Sequence, residues 1–234
     1  EETEQKVAFK HSNPFLMIAL VVFVIVFLYQ GPQSEKALGP SFDTLTPLTA
    51  SDANESVAQY FPDGNSIVFQ RSYGQCENNL WAKDLAQHKE YPLTKNASVD
   101  GLVGFSPDGK KLAFMSEAGC GQKQINGACW NLVTISLAQA NHSPSVPDTL
   151  LTCDRGNFDA PVWLSDDRII LMEQRNNRWK LVKYAPSRNE ITDFYVPEQK
   201  KLYSYTYSSA RELFAVVGID ENGEHILDML DTKG

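Results

Sequence analysis

The sequence predicts an all-β fold of repeated four-stranded antiparallel modules, preceded by one transmembrane helix. Three observations lead to this expectation. An apolar run without charge lies near the N-terminus, at residues 15–29. A pattern of aromatic residue, polar turn and alternating strand then recurs along the chain. Gly- and Pro-containing turns separate short strands rich in β-branched and aromatic residues, which is typical of an all-β protein.

The transmembrane helix is expected over residues 13–30. Its apolar run, FLMIALVVFVIVFLY, lies between Asn13-Pro14 and Gln30-Gly31-Pro32. A membrane span needs about 20 apolar residues and the core of a secretory signal is shorter, so the length alone fits either. Acidic residues before the run, and no small-x-small cleavage site after it, favour an uncleaved anchor. A buried core helix is the alternative, but such helices are seldom apolar on every side.

The basic residues around this run predict its orientation. Lys6 and Lys10 precede it, whereas only Lys36 follows closely, next to Glu35. Because positive charge accumulates on the inner side of membranes, residues 1–12 are expected to form a cytoplasmic tail. The chain beyond the span is then expected outside, with a Gly/Pro/Ser linker at 31–46 and a folded domain at 47–234.

The repeat is visible in four segments that end in an apolar strand. Pro62, Pro107, Ser165 and Ser209 mark equivalent positions and are separated by 45, 58 and 44 residues. The middle interval therefore holds an insertion. The segments are QYFPDGNSIVFQ (59–70), VGFSPDGKKLAFMS (103–116), PVWLSDDRIILMEQ (161–174) and TYSSARELFAVVG (206–218).

Turn chemistry explains the start of each repeat. Proline fixes the entry of the turn, aspartate caps it, and glycine supplies the positive φ that closes it. The third repeat replaces Asp-Gly by Asp-Asp, and the fourth has no turn signature. The predicted repeat turns are Pro62-Asp63-Gly64, Pro107-Asp108-Gly109 and Asp166-Asp167.

A third and a fourth short strand follow each turn. Four antiparallel strands repeated every ~40–50 residues describe the blade of a β-propeller, so about four blades are expected. The sequence ends after the third strand of the fourth unit. Two explanations are open: the segment 42–49, which resembles the fourth strands, completes that blade, or further blades follow. In the first case the ring is closed within this sequence, and in the second case it is incomplete.

The repeat resembles a known family. FSPDGKKLAF at 105–114, followed by a loop, a strand and a terminal Leu-Thr, is similar to the TolB-like (PD40, WD40-like) propeller repeat, and the similarity extends over 47–234. A single span before such a propeller also resembles ToxR/CadC-like membrane-spanning transcription regulators, whose outer part senses and whose cytoplasmic part binds DNA. These resemblances imply a bacterial inner-membrane protein with its C-terminal domain in the periplasm.

All four cysteines follow the predicted anchor, and their even number predicts disulfides in an oxidising compartment. Cys120 and Cys129 flank a Gly-containing loop between two strands of the second repeat. Their closeness in sequence favours a Cys120–Cys129 bridge, which leaves Cys76 to pair with Cys153. A zinc site is the rival interpretation, but no two cysteines have the C-x2-C spacing that such sites use.

The sequence contains none of the common catalytic motifs: no G-x-S-x-G, H-E-x-x-H, Walker loop or G-x-G-x-x-G after a strand. We therefore expect no enzymatic activity, no cofactor and no metal site. The four tryptophans recur in strand positions, which favours packing between blades over stacking on sugars. The net charge of −8 argues against nucleic-acid binding by this portion, because phosphate contacts require clustered Lys and Arg.

Three functions remain open. The first is the sensory or binding domain of a membrane-spanning regulator, with a protein partner or small ligand at the propeller mouth and the membrane bound through 13–30. The second is an envelope scaffold resembling TolB, which would have a cleaved signal. The third is the propeller of a type II membrane serine peptidase, which requires a G-x-S-x-G domain. Loops at one end of the channel and the insertion before Trp130 are the expected binding places.

Overall fold

The computed structural model describes residues 47–49, 51–118, 129–140, 143–164, 167–176, 178–198 and 200–233. The folded unit comprises Ser51–Gly234. The predicted tail (1–12), transmembrane helix (13–30) and linker (31–46) lie outside the described residues and stay predictions. In the part of the chain that is described, no helix is both long and apolar enough to cross a membrane.

Four antiparallel sheets follow one another along the chain. Each of the first three is a meander of four strands, and the fourth has three strands in the described residues. Sheet 1 consists of β1 (Asn54–Tyr60), β2 (Ser66–Ser72), β3 (Glu77–Asp84) and β4 (Lys89–Pro92). Sheet 2 consists of β5 (Ser98–Phe105), β6 (Lys111–Ala118), β7 (Cys129–Ser136) and β8 (Asp148–Leu151). Sheet 3 consists of β9 (Asn157–Trp163), β10 (Ile169–Arg175), β11 (Arg178–Ala185) and β12 (Glu190–Tyr195). Sheet 4 consists of β13 (Lys200–Ser208), β14 (Leu213–Asp220) and β15 (His225–Asp231).

Few elements lie between these strands. A short helix, α1 (Leu137–Ala140), follows β7, and two 3-10 turns occupy Cys153–Arg155 and Pro186–Arg188. Sheets 1 and 2 are joined by a short parallel pairing of β3 with β5, in which Glu77 lies opposite Ser98. The predicted four-stranded modules are therefore present in sheets 1 to 3, and sheet 4 has three of the four strands among the described residues.

The sheets pack face to face, so an inner sheet buries both of its faces. Strand β6 illustrates this arrangement, because successive side chains of a strand point to opposite sides. Leu112 and Phe114 join the core between sheets 1 and 2, whereas Ala113 and Met115 join the core between sheets 2 and 3. All four side chains are fully or almost fully buried. A strand buried on both faces explains the continuous apolar sequence LAFM at 112–115.

Three separate cores result, one between each pair of consecutive sheets. The third core lies between sheets 3 and 4 and contains Ile170 and Met172 of β10 together with Phe214 of β14. Burying a side chain of this size stabilises a fold by about 1.5–3 kcal/mol. The remaining face of sheet 4 exposes Leu227 and Met229, with relative exposures of 65% and 58%. The described sheets do not close a ring, so ring closure stays a prediction.

The disulfide connectivity differs from the expected one. Cys129 is bonded to Cys153, with Cα atoms 5.3 Å apart. The predicted pairs Cys120–Cys129 and Cys76–Cys153 are therefore wrong. The register of β7 with β8 brings the end of β8 back beside the start of β7, and the Cys153 amide donates to Asn131 Oδ1 at 2.9 Å. Cys76 is also disulfide-bonded, and Cys120 lies outside the described residues.

Candidate functional site

The first strands of all four sheets converge on one groove. Its volume is about 400 Å³, and β1, β5, β9 and β13 each contribute to its wall. We call it the axial groove and define it by residues 57–59, 103–104, 160–162 and 205–207. Convergence of the first strand of every sheet is the arrangement expected around a propeller channel.

Strands β1, β5 and β9 each have a β-bulge at the groove, and β13 has one just before it, between Leu202 and Ser204. The register of β1 with β2 shifts between Ser56 and Gln59, and that of β5 with β6 shifts between Gly101 and Gly104. Val57 and Ala160 adopt left-handed φ values of 53° and 48°, which are uncommon for residues other than glycine. A bulge leaves an extra residue outside the strand ladder, so the backbone groups of that residue do not pair with the neighbouring strand.

Sheets 2 and 3 approach each other closely at Gly104. A β-carbon at this position would overlap the carbonyl oxygen of Pro161, so the residue type is fixed by the contact between β5 and β9. Gly74, in the loop between β2 and β3, has no atom within 4 Å of the equivalent position. Packing between the two sheets therefore requires glycine at position 104, whereas position 74 has room for a side chain.

Replacing Gly104 by alanine is expected to lower the free energy of unfolding by about 1–3 kcal/mol, because the added methyl group forces the two strands apart. Gly74→Ala is the matched control and is expected to change stability by less than about 0.5 kcal/mol. Urea denaturation followed by tryptophan fluorescence measures both. Equal effects of the two substitutions would contradict the close approach of β5 and β9.

A tyrosine hydroxyl joins the groove to the body of sheet 3. The Tyr205 hydroxyl lies within hydrogen-bonding distance of the carbonyl oxygens of Ala160 and, at 2.9 Å, Ile170. Burial, and secondarily the negative charge of Asp159, raises the pKa of Tyr205 well above its ordinary value of 10.0. The phenol is therefore neutral at physiological pH and acts as a donor to the backbone.

The two clearest repeats carry an acid at the same position of their first strand. Glu55 and Asp100 are separated by the same interval as the two Pro-Asp-Gly turns. Across the sheet, Glu55 lies opposite Arg71 and Asp100 lies opposite Ser116. The same repeat position therefore holds an ion pair in sheet 1 and a hydroxyl–carboxyl hydrogen bond in sheet 2.

The Asp100 carboxyl is fully buried among hydroxyl groups. Oδ1 accepts from Ser98 at 2.8 Å and from Ser116 at 2.7 Å, and Oδ2 accepts from Thr94 at 2.7 Å. Burial raises the pKa of Asp100 above its ordinary value of 3.8, although the three hydroxyl bonds oppose the rise. The Asp100 carboxyl therefore connects Thr94, which follows the last strand of sheet 1, to the first two strands of sheet 2 through hydrogen bonds.

Asp100→Asn is expected to weaken the pH dependence of stability. Because the pKa of Asp100 is raised on folding, the folded chain holds this proton more tightly than the unfolded chain does. The resulting stabilisation is present below the unfolded pKa and is lost as pH rises through the folded pKa. Relative to the variant, the parent should lose stability as the pH rises above the ordinary aspartate pKa of 3.8. Urea titrations of both proteins at several pH values measure this loss. A parent that gains stability relative to the variant as the pH rises would refute the assignment.

The predicted turn residues lie in the hairpins between first and second strands. Gly64 and Gly109 have φ values of 71° and 67°, and their amides donate to the carbonyl oxygens of Phe61 and Ser106 at 2.9 and 2.8 Å. Asp63 and Asp108 accept backbone amides within their turns. Asp167 has a φ of 62°, while Asp166 lies outside the described residues. Pro62 and Pro107 precede the two aspartates. These residues shape the hairpins and none of the described ones lines the axial groove.

The groove itself was not predicted from the sequence. Its lining contains no unusual residue type, and the bulges depend on pairing between strands. The repeated Glu55/Asp100 position is a signal that alignment of the first two repeats could have revealed. Of the predicted binding places, the insertion before Trp130 lies largely outside the described residues.

Comparison with known proteins supports the fold. No protein-family model matches the chain, and no curated protein matches it. Among solved structures, TolB from Acinetobacter baumannii matches with a TM-score of 0.62 and 16% identity, over 79% of this chain and 43% of that one. The chain thus spans less than half the length of that structure. Its fold is all-β, with TolB-like β-propellers as structural neighbours.

Enzymes occur among the structural neighbours as well. A puromycin hydrolase matches with a TM-score of 0.61 and 17% identity, over 80% of this chain and 31% of that one. An oligogalacturonate lyase from Vibrio parahaemolyticus matches with a TM-score of 0.55 and 12% identity, over 77% of this chain and 54% of that one. At these identities the similarity establishes the fold and leaves the chemistry open.

Proposed function

We propose that this chain is the extracytoplasmic binding domain of a single-span membrane protein, and that the axial groove binds an extended segment of a protein partner. We further propose that the whole protein is a membrane-anchored transcription regulator with a DNA-binding part upstream of residue 1. The apolar run at 15–29 and the lysines before it support the anchor and its orientation.

One observation carries the binding role: four bulged strands meet at the groove. Its described lining consists of small, apolar, amide, hydroxyl and tyrosine side chains, without a carboxylate, an imidazole or an amine. Such a surface suits non-covalent recognition, because backbone groups freed by bulges can pair with an extended peptide. Thr206 and Gln59 add side-chain hydrogen-bonding groups at the edge of this surface.

Site-specific photo-crosslinking in cells tests the binding role. A photoreactive residue placed at Thr206 in the full chain should produce a discrete adduct with another protein. Val146, with a relative exposure of 85%, provides the control position outside the groove. Adducts of equal yield at both positions, or no protein adduct at Thr206, would overturn the proposal. An adduct of small mass alone would identify a small ligand in place of a protein.

Reporter fusions test the orientation. Alkaline phosphatase fused after residue 234 should be active, because it requires an oxidising compartment to form its disulfides. Activity of a cytoplasmic reporter at the same position, with an inactive phosphatase, would place the domain on the other side. A phosphatase fused at residue 12 serves as the opposite control.

An envelope scaffold is the second candidate, and the TolB neighbour favours it. N-terminal sequencing of the mature protein separates the two candidates. A protein that retains residues 15–29 supports the anchored binding domain, whereas a soluble protein cleaved after this run supports the scaffold. The propeller of a serine peptidase is a third possibility, favoured by the puromycin hydrolase neighbour.

A further inference from the structure

A second cavity lies between sheets 3 and 4. Its volume is about 540 Å³, within the range of small-molecule sites. The end of the β10–β11 hairpin forms one wall, and the start of β13 with the end of β14 forms the other. We call it the lateral cleft. It shares no lining residue with the axial groove, so a ligand there would be additional to the proposed partner.

Two of the charged groups at the cleft are already used by the fold. Lys200 Nζ binds Asp228 Oδ2 at 2.9 Å. The Asp220 carboxylate accepts the backbone amides of Asn222 and Glu224, each at 2.9 Å, and such bonds lower the pKa of Asp220. These bonds fix the positions of both groups, and Asp220 stays ionised and adds negative charge to the sheet 4 wall.

Three charged side chains remain. Arg178 belongs to the sheet 3 wall, whereas Lys201 and Glu221 belong to the sheet 4 wall. All three are exposed, and no ion pair found among the described residues includes them. The cleft therefore offers an unused cation on one sheet and an unused anion on the other.

The floor between these charges is apolar. Leu202 is buried, and Trp179 and Ile219 are half-buried beside it. A purely anionic ligand would be repelled by Glu221, and a purely cationic one by Arg178 and Lys201. A ligand with one positive group, one negative group and an apolar body can contact the charged groups of both walls and the apolar floor.

We propose that the lateral cleft binds a zwitterion with an apolar body, an amino acid or short peptide with both termini free. The carboxylate pairs with Arg178, the ammonium group pairs with Glu221, and the apolar side chain packs on Trp179. Because Arg178 and Glu221 belong to different sheets, the bound ligand connects sheet 3 to sheet 4.

Calorimetric titration of the full chain in detergent tests the site. L-Phenylalanine and the dipeptide leucyl-phenylalanine are the two probes, and they distinguish a free amino acid from a peptide. N-acetyl-phenylalanine lacks the ammonium group and phenylalanine amide lacks the carboxylate. For whichever probe binds, we expect the corresponding N-acetylated and amidated forms to bind at least about tenfold more weakly, because each loses one charged contact.

Variants identify the residues. Arg178→Gln and Glu221→Gln should each weaken binding about tenfold or more, and Arg178→Gln should remove the advantage of the zwitterion over its amide. Arg188→Gln is the matched control, because Arg188 is exposed but lies away from the cleft. Unchanged far-ultraviolet circular dichroism verifies folding. No binding of either probe, equal binding of blocked and free forms, or full binding by Arg178→Gln would overturn the proposal.

Discussion

Alanine at Phe114 is expected to lower the free energy of unfolding by about 3–5 kcal/mol, and alanine at the next residue, Met115, by about 2–5 kcal/mol. Phe114 and Met115 have relative exposures of 0% and 1% and point into different cores. In a sheet with one solvent face, only one of two neighbouring residues would show a large loss. Two large losses in succession are specific to a sheet packed between two others.

Urea denaturation of each variant, followed by tryptophan fluorescence, measures these losses. Leu227→Ala is the control, because it removes the same kind of side chain from a strand whose outer face is exposed. Its effect should remain within about 0.5 kcal/mol. A large loss at only one of the two β6 positions would contradict the face-to-face packing of sheets 1, 2 and 3.

The second large effect is expected at Arg71, on the face of sheet 1 that points away from sheet 2. Its side chain is 4% exposed, and its guanidinium binds Glu55 at 2.5 Å and Glu90 at 2.6 Å. The same group lies 4.5 Å from the centre of the Trp81 ring. Arg71→Met should cost about 3 kcal/mol, because two largely buried carboxylates lose their shared cation.

Neutralising the carboxylates should restore much of that loss. We expect the triple variant Arg71→Met, Glu55→Gln, Glu90→Gln to recover at least half of the lost stability, since the two carboxylates that Arg71 neutralised are then uncharged. Equilibrium denaturation in urea measures the loss in the single variant and its recovery in the triple variant. An Arg71→Met variant as stable as the parent would show that the ion pairs contribute nothing.

Strand order could be read from the sequence because it depends on local patterns, and the turns at Gly64 and Gly109 give the first hairpin of sheets 1 and 2 directly. The alternation expected in the second strands was wrong. Residues 67–69 and 112–115 are buried in succession, because these strands pack on both faces. The all-β fold was thus predictable, whereas ring closure and the membrane anchor are not tested by the described residues.

Features that depend on contacts between distant strands could not be read in this way. Val57 and Ala160 adopt left-handed φ values that their residue types disfavour, so the bulges of the axial groove have no local signal. Cysteine spacing pointed to the wrong bridge, because the β7–β8 register, not the loop length, brings Cys153 beside Cys129. Trp179 was assigned to packing, and it does pack on the third core while also lining the lateral cleft.

The burial of both faces of an inner sheet also limits how such a chain can change in evolution. Sheet 2 packs one apolar face against sheet 1 and the other against sheet 3, so exposing either face to water is unfavourable. Loss of one hairpin would uncover two hydrophobic surfaces at once, whereas gain or loss of a whole repeat leaves matching faces in contact. Duplication and deletion should therefore proceed in units of one complete sheet.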